Sequence, residues 1–232
     1  MTGFDETTIR AVGLERGELA GQTVVVTGSG RGIGRATALT FAWLGASVVV
    51  AELSDEGLET EQLIVEAGGD ACFVRTDVSS AAEVDRLRRT AQETFGPTSI
   101  LVNNAIVCPV VSVLDTDTAT WDRVMAVNLR GTFLTCKAFL PEMLNRKRGT
   151  IVNMVSAEAM PYLSAYFASK QGIATFSQSL AAEVGETGVR VIPFGIGMHG
   201  GYTRYPECCS RACTLSGPHT RPIPRGFASC SL

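Results

Sequence analysis

The chain has 232 residues, 45% of them hydrophobic and 19% charged, with a net charge of -3 and no apolar run long enough to cross a bilayer. That length suits one α/β domain rather than two, and the mildly acidic balance, with Lys and Arg scattered through the body, excludes the basic stripe that nucleic-acid or anionic-membrane binding requires. Met1 to Arg16 carries Asp5, Glu6 and Glu15 and no apolar stretch, so neither a secretory signal nor an Arg-rich transit peptide is expected, and the expected location is the cytoplasm.

After an N-terminal extension over residues 1–18, the first strand is expected at Thr23 to Thr27. Gly28-Ser29-Gly30-Arg31-Gly32-Ile33-Gly34 follows at once and runs into an apolar-periodic helix, Gly32 to Leu44. A Gly-rich turn in that context lets backbone approach a pyrophosphate, and the helix N-terminus aims free N–H groups at it. Taken alone, the same glycines also serve an ordinary tight turn. A second strand, Ser47 to Leu53, carries Glu52, 18 residues beyond Gly34. An acid there can accept hydrogen bonds from an adenosine ribose and repel a 2′-phosphate, or it is simply an exposed acid at a strand end.

The alternation continues with helix Asp55 to Ala67, strand Ala71 to Thr76, helix Ala81 to Phe95 and strand Ile100 to Asn103. Ser54 or Asp55 can cap the second helix and Ser79 or Ser80 the third, with Glu83 at capping-box distance; Gly68-Gly69 and Gly96-Pro97 stop them. A long helix, Thr118 to Asn145, precedes strand Thr150 to Val155, helix Ser164 to Glu186 and strand Val189 to Phe194. Nearly all the strands are continuous apolar runs, as burial on both faces demands, so the fold class is α/β, a parallel sheet with helices on both faces.

Tyr166 and Lys170 are four residues apart and project from one face of their helix. A phenol with a pKa near 10 is a poor base at neutral pH unless a nearby cation favours the phenolate, and Lys170 is placed to supply one. Ser156, at the end of the preceding strand, can hold a substrate oxygen beside the phenol. The pair alone is common on helix surfaces and does not select a function.

Taken together, Thr27-Gly28-x-x-x-Gly32-Ile33-Gly34, Asp77-Val78, Asn103-Asn104-Ala105, Asn128, Ser156 and Tyr166-x-x-x-Lys170 resemble the short-chain dehydrogenase/reductase family over about Leu19 to Met198. The resemblance implies a single Rossmann-type, doubly wound domain over residues 19–198 that binds NAD or NADP and moves hydride between the nicotinamide and a secondary alcohol or ketone. It makes Tyr166 the general acid/base and Ser156 the residue that orients the substrate oxygen. Lys170 lowers the Tyr166 pKa and binds the nicotinamide ribose, and Asn128 holds a water linking Lys170 to solvent. Gly28, Gly32, Ile33 and Gly34 match the pyrophosphate turn, Asp77 and Val78 the adenine edge, and Asn104 and Ala105 the segment along the cofactor. Glu52 argues for NAD, whereas Arg31 stands where some NADP-dependent members place a basic residue. A homodimer built on the helices Thr118 to Asn145 and Ser164 to Glu186 is also implied, with a small-molecule alcohol or ketone as substrate and neither nucleic acid nor membrane as partner.

Three departures stand out. Ile106 replaces the family's Gly after Asn103-Asn104-Ala105, where φ > 0 would be costly for a β-branched residue. Ser156 precedes Tyr166 by ten residues, a shorter spacing than is usual in the family, and Ser164 is a poor substitute. Residues 199–232 hold four Pro, four Arg, no Lys and four of the seven Cys, without hydrophobic period. They are expected to be an irregular tail that supplies no seventh strand, as a frame change or alternative splice would produce. Cys208, Cys209, Cys213 and His219 fit no zinc-ligand spacing, so no metal is expected. The alternative reading is a cofactor-binding but catalytically impaired variant, or a non-catalytic interaction isoform.

Overall fold

The structure, a computed structural model, describes residues 10–11, 13–156 and 159–195. Its strands are β1 (Thr23–Thr27), β2 (Ser47–Glu52), β3 (Ala71–Arg75), β4 (Thr98–Asn103), β5 (Gly149–Val155) and β6 (Val189–Gly195). They form one sheet in the order β3-β2-β1-β4-β5-β6, every neighbouring pair parallel. The helices are α1 (Gly32–Trp43), α2 (Glu56–Glu66), α3 (Ala81–Phe95), α4 (Thr118–Val124), α5 (Gly131–Arg146) and α6 (Ser164–Val184). The chain winds outward from β1 to β3, then returns to the centre and winds the other way from β4. The strand order therefore reverses between β1 and β4, where sheets of this kind open a crevice at their carboxyl ends.

Strand periodicity distributes the core between the two faces. Val25 and Val49 pack with Leu87 of α3, Phe139 and Met143 of α5 and Leu180 of α6. Val24, Val26, Val48 and Val50 face the other way, onto Ala38 of α1 and Ile64 of α2. All six of these valines are fully buried, and each contributes roughly 1.5–3 kcal/mol by leaving water.

All six expected strands form, with ends shifted by no more than two residues. The expected single helix from Thr118 to Asn145 is instead α4 and α5 joined by a π-helical turn, Met125–Arg130. A π turn inserts one residue without ending the helix, so apolar spacing hardly registers it. Asp55 stands at the α2 N-cap without bonding the helix through its side chain, and pairs with Arg75 instead. Ser80 does cap α3, accepting the Glu83 N–H at 3.4 Å, but the Glu83 carboxylate reaches past the cap to the Asp77 N–H at 2.8 Å. Gly68 and Gly96 end their helices at φ +83° and +81°, a conformation open to Gly at little cost. The expected tail over 199–232, with its missing seventh strand and its Cys208, Cys209, Cys213 and His219, lies outside the described residues.

A buried polar chain crosses the second half of the sheet. The Thr135 hydroxyl donates to Asn103 Oδ1 (2.7 Å), Asn103 Nδ2 donates to Asn153 Oδ1 (2.8 Å), and Asn153 Nδ2 donates to Ser177 Oγ (2.8 Å). It fastens α5 and α6 to β4 and β5 directly below the crevice. Beside it, burial pushes the Cys136 thiol up to about 12, so it stays neutral. Asn153→Ala leaves the Asn103 amide without this acceptor and opens a small cavity. It is expected to lower stability by about 2–4 kcal/mol, measured by urea unfolding.

Candidate active site

At the carboxyl ends of the strands lies a cleft of about 1060 Å³, and the turn after β1 forms its floor. Gly28 and Gly32 adopt φ +64° and +54°. A Cβ on Gly28 would lie 2.7 Å from Ala105 Cα, and one on Gly34 would lie 2.0 Å from the Gly28 carbonyl oxygen. No other residue type can occupy these two positions while α1 keeps its place. The α1 N-cap, Arg31, makes no side-chain cap and the first turn holds no acid, so the first amide N–H groups remain available to an anion.

Side chains from four segments support this turn. The buried Ser29 hydroxyl donates to the Val26 carbonyl at 2.8 Å, and the Thr60 hydroxyl donates to the Ser29 carbonyl at 2.9 Å. Thr27 Oγ1 accepts the N–H groups of Asn104 and Ala105 at 3.0 and 3.1 Å. Asn104 Nδ2 donates back to the carbonyls of Thr27 and Gly28 at 3.0 and 2.9 Å. Asn104 therefore ties the end of β4 to the glycine turn, and Ala105 is left lying over it.

Glu52 also lines the cleft. Its carboxylate accepts the N–H of Gly30 at 3.0 Å through one oxygen, and those of Leu53 and Ser54 at 2.7 and 3.2 Å through the other. Arg31 Nε lies 3.8 Å from Glu56. Asp77 accepts the Ser79 N–H at 2.8 Å, and Val78 is buried beside it, close to Gly131.

Ser156, Tyr166 and Lys170 line the opposite wall. Lys170 is 2% exposed; its Nζ donates to the Met154 carbonyl at 2.6 Å and lies 5.6 Å from the centre of the Tyr166 ring. Burial pushes the Lys170 ammonium down to about 8 and the Tyr166 phenol up to about 12, with Cys108 acting to raise both. In this cleft, then, burial of the phenol prevails in setting the Tyr166 pKa.

Asn128, from the π turn, is fully buried behind the cleft. Its Oδ1 accepts the Val107 N–H at 2.8 Å, while Nδ2 donates to the Val107 carbonyl at 3.0 Å and to Ser169 Oγ at 3.0 Å. Asn128 thus joins the segment after β4 to α6, next to Lys170. Ile106 is free of the expected strain: among the described non-glycine residues only Lys147 and Tyr162 have positive φ. Ser164, at the start of α6, is exposed and does not line the cleft. Cys108 was not foreseen, because the irregular stretch after Ala105 has no period to mark which residues face inward.

A crevice of this kind, with a glycine turn under one half and a half-buried Tyr beside a buried Lys in the other, is that of a dinucleotide-binding oxidoreductase. The chain belongs to the short chain dehydrogenase family, whose model matches residues 22–202. It is 41% identical over 181 residues to 3beta-hydroxysteroid dehydrogenase 1 of Eggerthella lenta, covering 75% of this chain and 69% of the relative. It is 40% identical over 178 residues to 2-(S)-hydroxypropyl-CoM dehydrogenase 3 of Xanthobacter autotrophicus, covering 75% and 69%. Among solved structures it is similar to a metagenomic short-chain oxidoreductase in complex with NADP, with 36% identity, a TM-score of 0.71, and 75% of this chain and 80% of that one covered.

The buried ammonium has a consequence for stability. Folded Lys170 releases its proton near 8 and an unfolded lysine near 10.4, so between these values the unfolded state binds the extra proton and the Lys170 contribution to stability rises with pH. Tyr166 acts oppositely, its contribution falling with pH between about 10 and about 12. Lys170→Met is expected to be more stable than the parent by about 2 kcal/mol at pH 7, after allowance for the orphaned Met154 carbonyl. That advantage should shrink by pH 10, as urea unfolding of both proteins at the two pH values would read.

Proposed function

We propose that the chain moves hydride between a nicotinamide dinucleotide, NAD in preference to NADP, and a secondary alcohol or ketone, with Tyr166 as general acid/base. The observation that carries this reading is the shared cleft: Tyr166 and Lys170 on one face of α6, with Ser156 beside them, open onto the same space as the glycine turn and the uncapped α1 N-terminus. The residues fit the cofactor, because two glycine positions admit no Cβ where a pyrophosphate must approach.

When bound, the nicotinamide supplies the hydride acceptor or donor. Gly28, Gly32, Ile33 and Gly34 would hold the pyrophosphate, Asp77 and Val78 the adenine, and Asn104 and Ala105 the stretch between the two halves. Glu52 would accept hydrogen bonds from the adenosine ribose. Fixed by three backbone N–H groups, its carboxylate opposes a 2′-phosphate, while Arg31 is turned toward Glu56. Burial keeps the Tyr166 phenol protonated at neutral pH, which suits it to give that proton to a ketone oxygen. In the oxidative direction Tyr166 takes the alcohol proton and needs a cation to favour its phenolate, and Lys170 carries that charge at neutral pH. Ser156 Oγ donates to the substrate oxygen. Asn128 keeps Val107 and α6 in register beside Lys170, and this anchoring is the role its hydrogen bonds support.

Tyr166→Phe is expected to lower turnover by about 10²–10⁴-fold. NADH affinity should be kept, and both parent and variant should bind NADH about tenfold more tightly than NADPH by fluorescence titration. Normal turnover in the variant removes Tyr166 from the acid/base role, and tighter NADPH binding removes Glu52 from cofactor choice.

The assembly we infer is a homodimer packed through α4, α5 and α6. Trp121 and Phe133 are exposed at 41% and 43%, and Phe133 rests edge-on against Phe176 of α6 at 6.3 Å, so these helices carry apolar surface that a second copy would cover. Light scattering is expected to give twice the chain mass; a stable tetramer contradicts it.

A further inference from the structure

The cleft is divided by charge. Its carboxylates among the described residues, Glu52, Glu56 and Asp77, all stand at or just beyond the ends of β2 and β3, where the adenosine half of a dinucleotide would lie. Around Tyr166 and Ser156 the lining changes character. The segment after β4 contributes Val107, Cys108 and Val110, the segment before α6 contributes Met160 and Leu163, and α6 adds Phe167. The cation on this side, Lys170, is committed to the Met154 carbonyl, and the cleft's other cation beyond Arg31, Arg123, is an exposed residue at the end of α4.

Two fastenings fix these apolar walls in place. Asn128 grips both the N–H and the carbonyl of Val107. Four residues further on, the Val111 N–H donates to the Tyr162 carbonyl at 2.8 Å, which joins the segment after β4 to the segment before α6. Tyr162 meets this bond in a left-handed conformation, φ +66°, which an L-residue adopts at a cost and which surrounding structure must over-determine. The slot between the walls is therefore preformed, and an apolar body gains by filling it without first ordering it.

We propose that the substrate is an uncharged, largely hydrocarbon secondary alcohol or ketone, whose body lies between Val107–Val110 and Met160–Leu163 while its oxygen meets Tyr166 and Ser156. This rests on the oxidoreductase reading above. Among the described residues these walls present no cation for a carboxylate, sulfonate or phosphate on the substrate, and a polyol would leave its hydroxyls facing valine, methionine, leucine and phenylalanine.

The test uses the full chain with NADH, after fluorescence titration has shown that NADH binds. Three ketones are compared: 2-decalone, the keto acid acetoacetate, and the polyhydroxy ketone erythrulose. A buried methylene is worth roughly fourfold, so kcat/KM for 2-decalone is expected to exceed the other two by about 100-fold. Val110→Asp, at a half-exposed position near the mouth, is expected to lower kcat/KM for 2-decalone about tenfold, mainly through KM, with NADH affinity unchanged. Equal or faster turnover of the acid or the polyol overturns this inference and leaves the oxidoreductase reading standing. Reduction of none of the three by a chain that binds NADH overturns both, and unchanged kinetics in Val110→Asp overturns the placement of the substrate body.

Discussion

A Cβ on Gly34 would stand 2.0 Å from the Gly28 carbonyl oxygen, and a Cβ on Gly28 would stand 2.7 Å from Ala105 Cα. Three pieces of backbone, the end of β1, the first turn of α1 and the end of β4, therefore meet at distances that leave no room for side chains. The rest of the cleft follows from that contact. Because α1 comes so close to β1, its amide groups face the crevice. Because β4 comes so close to the turn, Thr27-Gly28 and Asn104-Ala105 share four hydrogen bonds across it, and the chain leaving β4 is aimed over the glycine turn. Asn128 then receives that chain at Val107 and passes the constraint to α6 through Ser169. The helix bearing Tyr166 and Lys170 and the glycine turn are thus held in register through polar side chains and backbone, while the hydrophobic core serves mainly to hold the layers together.

The electrostatics of the second half balance against this order. Placing Lys170 at 2% exposure costs stability at neutral pH, and the ammonium is tolerated because Met154 offers a carbonyl at 2.6 Å. The same desolvation holds the Tyr166 proton tightly.

Much of the architecture was legible in the chain. The six strands were, because strands buried on both faces must be continuous apolar runs, and Val24 to Val26 or Val48 to Val50 can hardly serve elsewhere. The turn from Gly28 to Gly34 was, because close backbone approach demands glycine. Tyr166, Lys170, Ser156 and Glu52 were found by spacing and resemblance, and the fold brings all four to one cleft. Less legible was anything that depends on hydrogen bonds between distant segments. The π turn at Met125–Arg130 barely disturbs apolar spacing. The anchoring of Val107 by Asn128, separated by 21 residues, leaves no local pattern, and Cys108 and Tyr162 sit in irregular segments where no period distinguishes inward from outward.

The sequence by itself determined the order and type of the elements, the family and the residue types that line the cleft, because local periodicity, glycine conformation and motif spacing are properties of neighbours along the chain. The tertiary structure alone decided which oxygen accepts which proton: that Asn128 grips backbone, that Glu52 is fixed by three amides, that Lys170 turns to Met154, and that Val111 bonds to Tyr162. Those outcomes depend on distances between segments far apart in sequence, and on the loss of water between them, neither of which a one-dimensional pattern encodes.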